Sequence, residues 1–367
     1  MIIENIHFNL LEIPTNPPRA SSKETSDGRK DSITTLIASI KTNDGLEGIG
    51  YAYSLQGAGK AMYWTGRELL EPIMIGENAL NHERLFHKVY WRTQTIGRTG
   101  LVPQVYSALD MALWDLKGKK AGLPVHKMLG GARESCNAYI SHTGWQWMTV
   151  GQIMDQTKPF LDQGVMGLKV KVGNNPNQDI ERISFLREQL GEEVWLAVDA
   201  NEKYDLGTAL AMGRFFQDEV GVGWFEEPIS CENQSGYTQL ANTLDIPIAS
   251  GEMLFSQKEF EAYICTNSMD VAQPDITRLG GITPFLKTLA LCEAKHIPVA
   301  PHLMPEIAVH LACAFNQITS VEYMPWMEPL FLNYPKLTAG KLRPIEGPGW
   351  GLELNPDALK KYSAPTS

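Results

Sequence analysis

Three acidic residues at the ends of apolar, β-rich runs carry the most chemistry in this sequence. Asp199 closes Val-Trp-Leu-Ala-Val-Asp, Glu226 closes Val-Gly-Trp-Phe-Glu, and Glu252 closes Ile-Pro-Ile-Ala-Ser-Gly-Glu. They recur at roughly 26 residues, close to the ~30 that one strand–helix unit of a (β/α)8 barrel needs. Ends of successive parallel strands lie side by side on one rim, so the three carboxylates form a hard, oxygen-rich set suited to Mg²⁺. Lys169 and Lys171 end another such run, and the two-residue period of a strand puts both on one face. Charge on the inner face of a barrel strand is disfavoured without polar partners, which points to a polar site there. Asn201 shares the face of Asp199. Asp275 and His302 end the next two runs, where a carboxylate can orient an imidazole and raise its basicity. Glu322 ends the last. These residue types describe metal-assisted acid–base chemistry rather than a binding module.

The elements that must position them follow from the pattern. From Asn137 onward, short strands end near His142, Lys171, Asn201, Glu226, Glu252, Asp275, His302 and Glu322. Helical patterns lie between them at 180–189, 206–219, 236–243, 256–266, 281–295 and 305–315. Eight strands with intervening helices argue for an α/β barrel over an open sheet. Before them, residues 2–11, 34–40 and 48–53 read as antiparallel strands, with Asn43-Asp-Gly45 as a turn. Residues 60–120 read as helical, with an amphipathic stretch at 105–116. The expected architecture is an N-terminal α+β capping domain (1–128) and a modified (β/α)7β barrel of the TIM type (129–330). A C-terminal segment (331–367) is expected to return to the cap.

Composition excludes several partners. A net charge of −10 argues against nucleic acid and anionic membranes. Five cysteines without paired spacing read as reduced core thiols of a cytoplasmic protein. The opening Met1-Ile-Ile-Glu reads as a strand rather than a signal peptide, and no apolar run reaches the ~18 residues of a membrane span. A homo-oligomer is expected.

The order Lys-x-Lys, Asp-x-Asn, Glu-Glu-Pro, Gly-Glu, Asp, His is specific as a set. It follows the helix Ala108-Leu-Asp-Met-Ala-Leu-Trp-Asp-Leu-Lys117, Gly122-Leu-Pro-Val125 and Leu129-Gly-Gly131. Over nearly its whole length the chain resembles the enolase superfamily, mandelate racemase subgroup. The resemblance implies Mg²⁺ held by Asp199, Glu226 and Glu252, with Lys171 and the His302–Asp275 pair as acid–base groups. It implies that Glu322 bonds a substrate carboxylate oxygen. The residue types suit α-proton abstraction from a carboxylate. Lys169 adds positive charge at the developing enediolate, and a protonated Glu322 can donate to it. Lys171 must be neutral to act as a base, and Lys169 together with burial would push its pKa down.

Within the subgroup the chain is most similar to the acid-sugar dehydratases. Gly48-Ile-Gly-Tyr-Ala-Tyr-Ser54, Ile96-Gly-Arg98, Gln273-Pro-Asp-Ile-Thr-Arg-Leu-Gly-Gly281 and Trp326-Met-Glu-Pro-Leu-Phe331 carry that likeness. In this family the loop between the first two strands covers the barrel mouth. Here it brings Lys23, Arg29 and Lys30, which suit a polyhydroxy acid with a second anionic end, and Arg98 adds to the pocket. The competing readings are an aldonate dehydratase, a racemase or epimerase of a 2-hydroxy acid, a muconate-type cycloisomerase and a non-catalytic sugar-acid sensor. Asp110, Glu227 and His310 are expected to be structural. The spacing His302-x3-Glu306-x3-His310 lacks the order of a zinc-protease motif.

Overall fold

The computed structural model describes residues 1–19, 31–55 and 57–366. Its first unit is an antiparallel sheet of β1 (Ile3–Pro14), β2 (Ser32–Thr42) and β3 (Glu47–Ser54), in that order. Gly45 supplies the positive φ (82°) that the β2–β3 turn requires. Strand β3 alternates Gly48, Gly50 and Ala52 with Ile49, Tyr51 and Tyr53. After α1 (His82–Thr93), the long helix α2 (Leu101–Ala121) lies on the glycine face. A Cβ at Gly50 would come 2.2 Å from the Ala108 carbonyl oxygen, and one at Gly48 would come 2.3 Å from that of Ala112. The tyrosines therefore point the other way, toward the barrel.

Residues 105–116 of α2 are buried on every face, which overturns the amphipathic expectation. The reason is a second neighbour. One side of α2 packs on β3, and the other meets the start of a barrel helix at Thr283. Asp110 accepts there from Thr283 N (2.9 Å) and Oγ1 (2.7 Å), a structural role as expected.

The second unit is a ring of parallel strands: β4 (Cys136–Ile140), β5 (Gly167–Lys171), β6 (Trp195–Asp199), β7 (Phe225–Glu226), β8 (Ile248–Ser250), β9 (Val271–Ala272) and β10 (Ser320–Tyr323). The hydrogen-bonded order is β10-β4-β5-β6-β7-β8-β9. Bridges from Val299 to Ala272 and to Ile318 supply the remaining stave between β9 and β10. The connections are α3 (Val150–Leu161), α4 (Pro176–Leu190), α5 (Leu206–Phe215), α6 (Gln234–Thr243), α7 (Gln257–Cys265), α8 (Ile282–Ala294) and α9 (Pro305–Ala314). Helix α3 was not among the expected helices. It opens on a capping box between Thr149 and Gln152. The capping unit and the barrel form the fold expected of the family.

Beyond Pro329 the chain touches both units. Lys341–Leu342 pairs with β4, while the backbone at Tyr362 and Ala364 bonds to Glu12 and Leu10 of β1. All five cysteines are free. Cys265 is exposed and Cys231 half-buried, so the core-thiol reading holds for Cys136, Cys292 and Cys313. Among the described residues no helix is long and apolar enough to cross a membrane.

Candidate active site

The barrel strands deliver their C-terminal residues to one rim. Asp199, Glu226 and Glu252 are buried, and one ligand oxygen from each lies within 4.8 Å of the others. Their backbone is shaped for this. Asn201 (φ 42°), Glu202 (φ 63°) and Glu227 (φ 40°) take left-handed conformations just after the strand ends. Such non-glycine residues cost roughly 1–3 kcal/mol each and persist where surrounding contacts dictate them. Asn201 orients its neighbour, donating from N to Asp199 Oδ1 at 2.8 Å and from Nδ2 to Oδ2 at 3.4 Å.

Lys169 is almost fully buried. Its ammonium donates to Glu226, lies 3.0 Å from Glu322 Oε1 and 3.7 Å from Asp199 Oδ2. Lys171 donates to Asp199. His302 Nδ1 lies 2.6 Å from Asp275 Oδ2, and Nε2 lies 3.4 Å from Glu252 Oε2. The predicted Asp275–His302 meeting is therefore present. The turn after His302 holds two consecutive left-handed residues, Leu303 and Met304, both at φ 53°. The Leu303 N–H donates to Glu322 Oε2 at 2.9 Å.

Two expectations about charge are corrected. Burial alone would raise the Glu322 carboxyl, but Lys169, His302 and the Leu303 N–H outweigh it and hold the pKa at about 2. Glu322 is thus an ionised acceptor rather than a protonated donor. Burial alone would lower Lys171, but the Asp199 carboxylate beside it wins and the net direction is upward. The depressed lysine expected from the neighbouring Lys169 is not what the protein groups produce. Asp199 is held well below the usual carboxylate range because both lysines outweigh its burial. Glu226 goes the other way: burial raises it to about 8 despite Lys169.

The donor set fits a hard divalent cation. Asp199, Glu226 and Glu252 converge on one point beside the cations Lys169, Lys171 and Arg278. Among the described residues Glu252 Oε2 has no hydrogen-bond partner. Converging buried oxygen donors of this kind suit a divalent cation.

Several contributors were not foreseen. Arg278 Nη1 donates to the Glu252 carbonyl at 2.6 Å and lies 3.3 Å from its Oε1. Gln273 Nε2 and Trp224 Nε1 both donate to Glu226 Oε2, at 2.5 and 3.0 Å. Gln273 stands two residues before Asp275, so the strand period could have found it. Tyr53 of the capping sheet donates to Asp275 Oδ2. Nothing in its own segment marks that reach.

Among the described residues, the remaining candidates lie apart. Arg98 is exposed, with its guanidinium over the Tyr90 ring and a bond to Gln94. Lys23, Arg29 and Lys30 fall outside the described residues. His142 bonds the Tyr323 carbonyl and packs edge-on against Phe160. Glu306 accepts from Tyr51 and from Tyr334, and His310 bonds the Trp350 carbonyl. That spacing therefore makes packing contacts and, among the described residues, no metal site.

Residues 152–358 match the family profile of the enolase C-terminal domain-like fold. Residues 12–130 match that of the mandelate racemase / muconate lactonizing enzyme N-terminal domain. The chain is 35% identical to L-talarate/galactarate dehydratase of Salmonella typhimurium, over 98% of this chain and 90% of that one. It is 32% identical to arabinonate dehydratase of Saccharolobus solfataricus, over 89% and 90%. The crystal structure of L-talarate dehydratase from Polaromonas sp. JS666, complexed with Mg and L-glucarate, superposes with a TM-score of 0.89 at 35% identity. That alignment covers 99% of this chain and 98% of that one.

Proposed function

The chain belongs to the enolase superfamily, in its mandelate racemase branch, and on that footing we propose that it is a Mg²⁺-dependent dehydratase of an acid sugar. Its substrate is an aldarate such as L-talarate or galactarate. The observation that carries this reading is that one acid–base group flanks each end of the carboxylate triad. Lys171 stands on Asp199, and His302 Nε2 lies 3.4 Å from Glu252.

Asp199, Glu226 and Glu252 would hold the cation, which when bound supplies Lewis-acid stabilisation of negative charge on the substrate carboxylate. With the cation bound, Asp199 would be engaged as its ligand and would no longer hold the proton on Lys171, which can then take the α-proton of one configuration, while His302 takes that of the other. Lys169 presents its buried ammonium to the substrate carboxylate. Glu322, being ionised, acts through its bonds to Lys169 and the Leu303 N–H. Protonated His302 gives its proton to the departing β-hydroxyl. The α-proton and the β-hydroxyl leave as water, and the enol product tautomerises to a 2-keto-3-deoxy acid.

The 35% relatives support an aldarate, and the arabinonate relative keeps an aldonate as the alternative. Acid–base groups at both ends of the triad also permit racemisation or epimerisation of a 2-hydroxy acid. The free cysteines suit the cytoplasmic location assigned here, and a homo-oligomer is the proposed assembly.

The test is a panel of acid sugars with Mg²⁺ in D₂O, read as keto-acid formation and α-deuterium incorporation. Lys171→Ala is expected to suppress reaction of one α-configuration. His302→Asn should suppress that of the other, together with dehydration. A panel giving neither keto acid nor exchange would overturn the proposal.

A further inference from the structure

We infer that Tyr53, which comes from the capping sheet rather than the barrel, is a positioning residue of the His302–Asp275 pair, so that this side of the acid–base machinery is assembled by cap docking. The inference rests on the acid–base reading above. Tyr53 Oη donates to Asp275 Oδ2, the same oxygen that faces His302 Nδ1, and lies 3.3 Å from that nitrogen. The other carboxylate oxygen is fully engaged by barrel groups. Thr277 N (2.7 Å), Thr277 Oγ1 (2.6 Å) and Arg278 N (3.0 Å) all donate to Oδ1. The carboxylate is thus fixed by the barrel at one oxygen and shared between cap and imidazole at the other.

The hydroxyl is aimed by construction. The bare Gly48 and Gly50 let β3 settle on the α2 backbone, which sends Tyr51 and Tyr53 out of the opposite face. Gln104 Nε2 then ties the Tyr53 carbonyl to α2 at 2.6 Å. Tyr51, two residues earlier, reaches Glu306 in α9. Among the described residues Lys171 shows no such dependence, because its partner Asp199 belongs to the adjacent barrel strand. Among the described residues, one side of the proposed acid–base pair therefore depends on the cap and the other does not.

Tyr53→Phe keeps the ring and removes the donor. In the substrate-free protein, the downfield proton on His302 Nδ1 is followed by NMR and assigned by its absence in His302→Asn. In Tyr53→Phe it should move further downfield, because Asp275 Oδ2 loses a competing donor. An unmoved resonance would overturn the inference whether or not any acid sugar proves to be a substrate. With a substrate in hand, Tyr53→Phe should lower kcat and α-deuterium exchange on the His302 side by about tenfold, an interaction energy of about 1.4 kcal/mol. KM and exchange on the Lys171 side should not change. In an Asp275→Asn background the same substitution should add nothing further, as expected for residues acting through one contact. Tyr51→Phe removes a buried hydroxyl from the same strand face, and it should lower the melting temperature without favouring either side. Equal loss of exchange on both sides, or additivity with Asp275→Asn, would reduce Tyr53 to a packing residue.

Discussion

Neutralising Glu252 separates the metal reading from simple structural damage. Glu252 keeps one oxygen near Arg278 Nη1 at 3.3 Å, and an oxygen of each of the other two triad members lies within 4.8 Å of it. At an effective dielectric of about 20, each carboxylate repulsion is worth at least ~3.5 kcal/mol and the Arg278 attraction ~5 kcal/mol. Burial already raises Glu226 to about 8, so chiefly the Asp199 repulsion opposes the Arg278 attraction, and the difference is within ~2 kcal/mol. Glu252→Gln should therefore leave stability in chelator within ~2 kcal/mol of the parent protein. The response to Mg²⁺ should differ sharply. A cation at a hundred times its Kd contributes ~2.7 kcal/mol of folding free energy. For a chain of 367 residues that is about 3–4 °C in melting temperature. The parent protein should show this rise between EDTA and Mg²⁺, and the variant should show under about 1 °C at the same concentration, with turnover lost. Differential scanning calorimetry with an activity assay on the same samples decides it. A variant that keeps the full Mg²⁺ shift, or turns over normally, would refute the assignment of Glu252 as a ligand.

Neutralising Lys23, Arg29 or Lys30 should raise KM for a diacid more than for the matching monoacid. One lost charge-assisted hydrogen bond is worth ~1.5–3 kcal/mol, and equal effects on the two substrates would leave the loop no role in distal binding. His82 is buried, among the described residues neither ring nitrogen has a hydrogen-bond partner, and burial, with Lys117 nearby, lowers its pKa to about 3. A depressed folded pKa means stability present above the unfolded value of 6.5 and lost as pH falls toward 3. From pH 7 to 5 the parent protein should lose ~2 kcal/mol more than His82→Phe in urea unfolding, and parallel losses would show that His82 is not buried neutral. Gly281 sits at φ 112°, and a Cβ there would come 2.4 Å from Asp110 Oδ2. Gly281→Ala should cost ~3 kcal/mol or more by chemical denaturation, whereas an effect under ~1 kcal/mol would mean that the seam between α2 and α8 yields easily.

Much of the site was legible because a barrel converts sequence interval into position. Asp199, Glu226 and Glu252 needed only their strand ends to be recognised, and Asp275 and His302 met for the same reason. What depended on a partner in the other unit was not legible. Residues 105–116 look like a one-faced helix in isolation, and only the β3 and Thr283 contacts explain burial all round. The alternation of Gly48, Gly50 and Ala52 with Tyr51 and Tyr53 was visible, but the Asp275 oxygen that Tyr53 reaches lies 222 residues away. The charge states of Lys171 and Glu322 were misjudged for a related reason. Burial and one neighbour were read from the sequence, whereas Asp199 decides the direction at Lys171, and Lys169 with His302 and the Leu303 N–H decides it at Glu322. Helix α3 was hidden by Gly151 and Pro159, which dilute its pattern.

The pairing of the far end of the chain with β1 carries a consequence for biosynthesis. Strand β1 is an edge of the capping sheet, and the backbone at Tyr362 and Ala364 bonds to its open side at Glu12 and Leu10. Those two segments are separated by some 350 positions. On the ribosome the Leu10–Glu12 end of that edge must therefore stay unpaired through the synthesis of the barrel, since residues 362–364 emerge after it, whereas Ile3 already bonds with residues 76–77. An exposed edge is a template for pairing with other chains. The nascent protein is thus most at risk of aggregation during translation, and shortening the chain before residue 362 would make that passing hazard permanent.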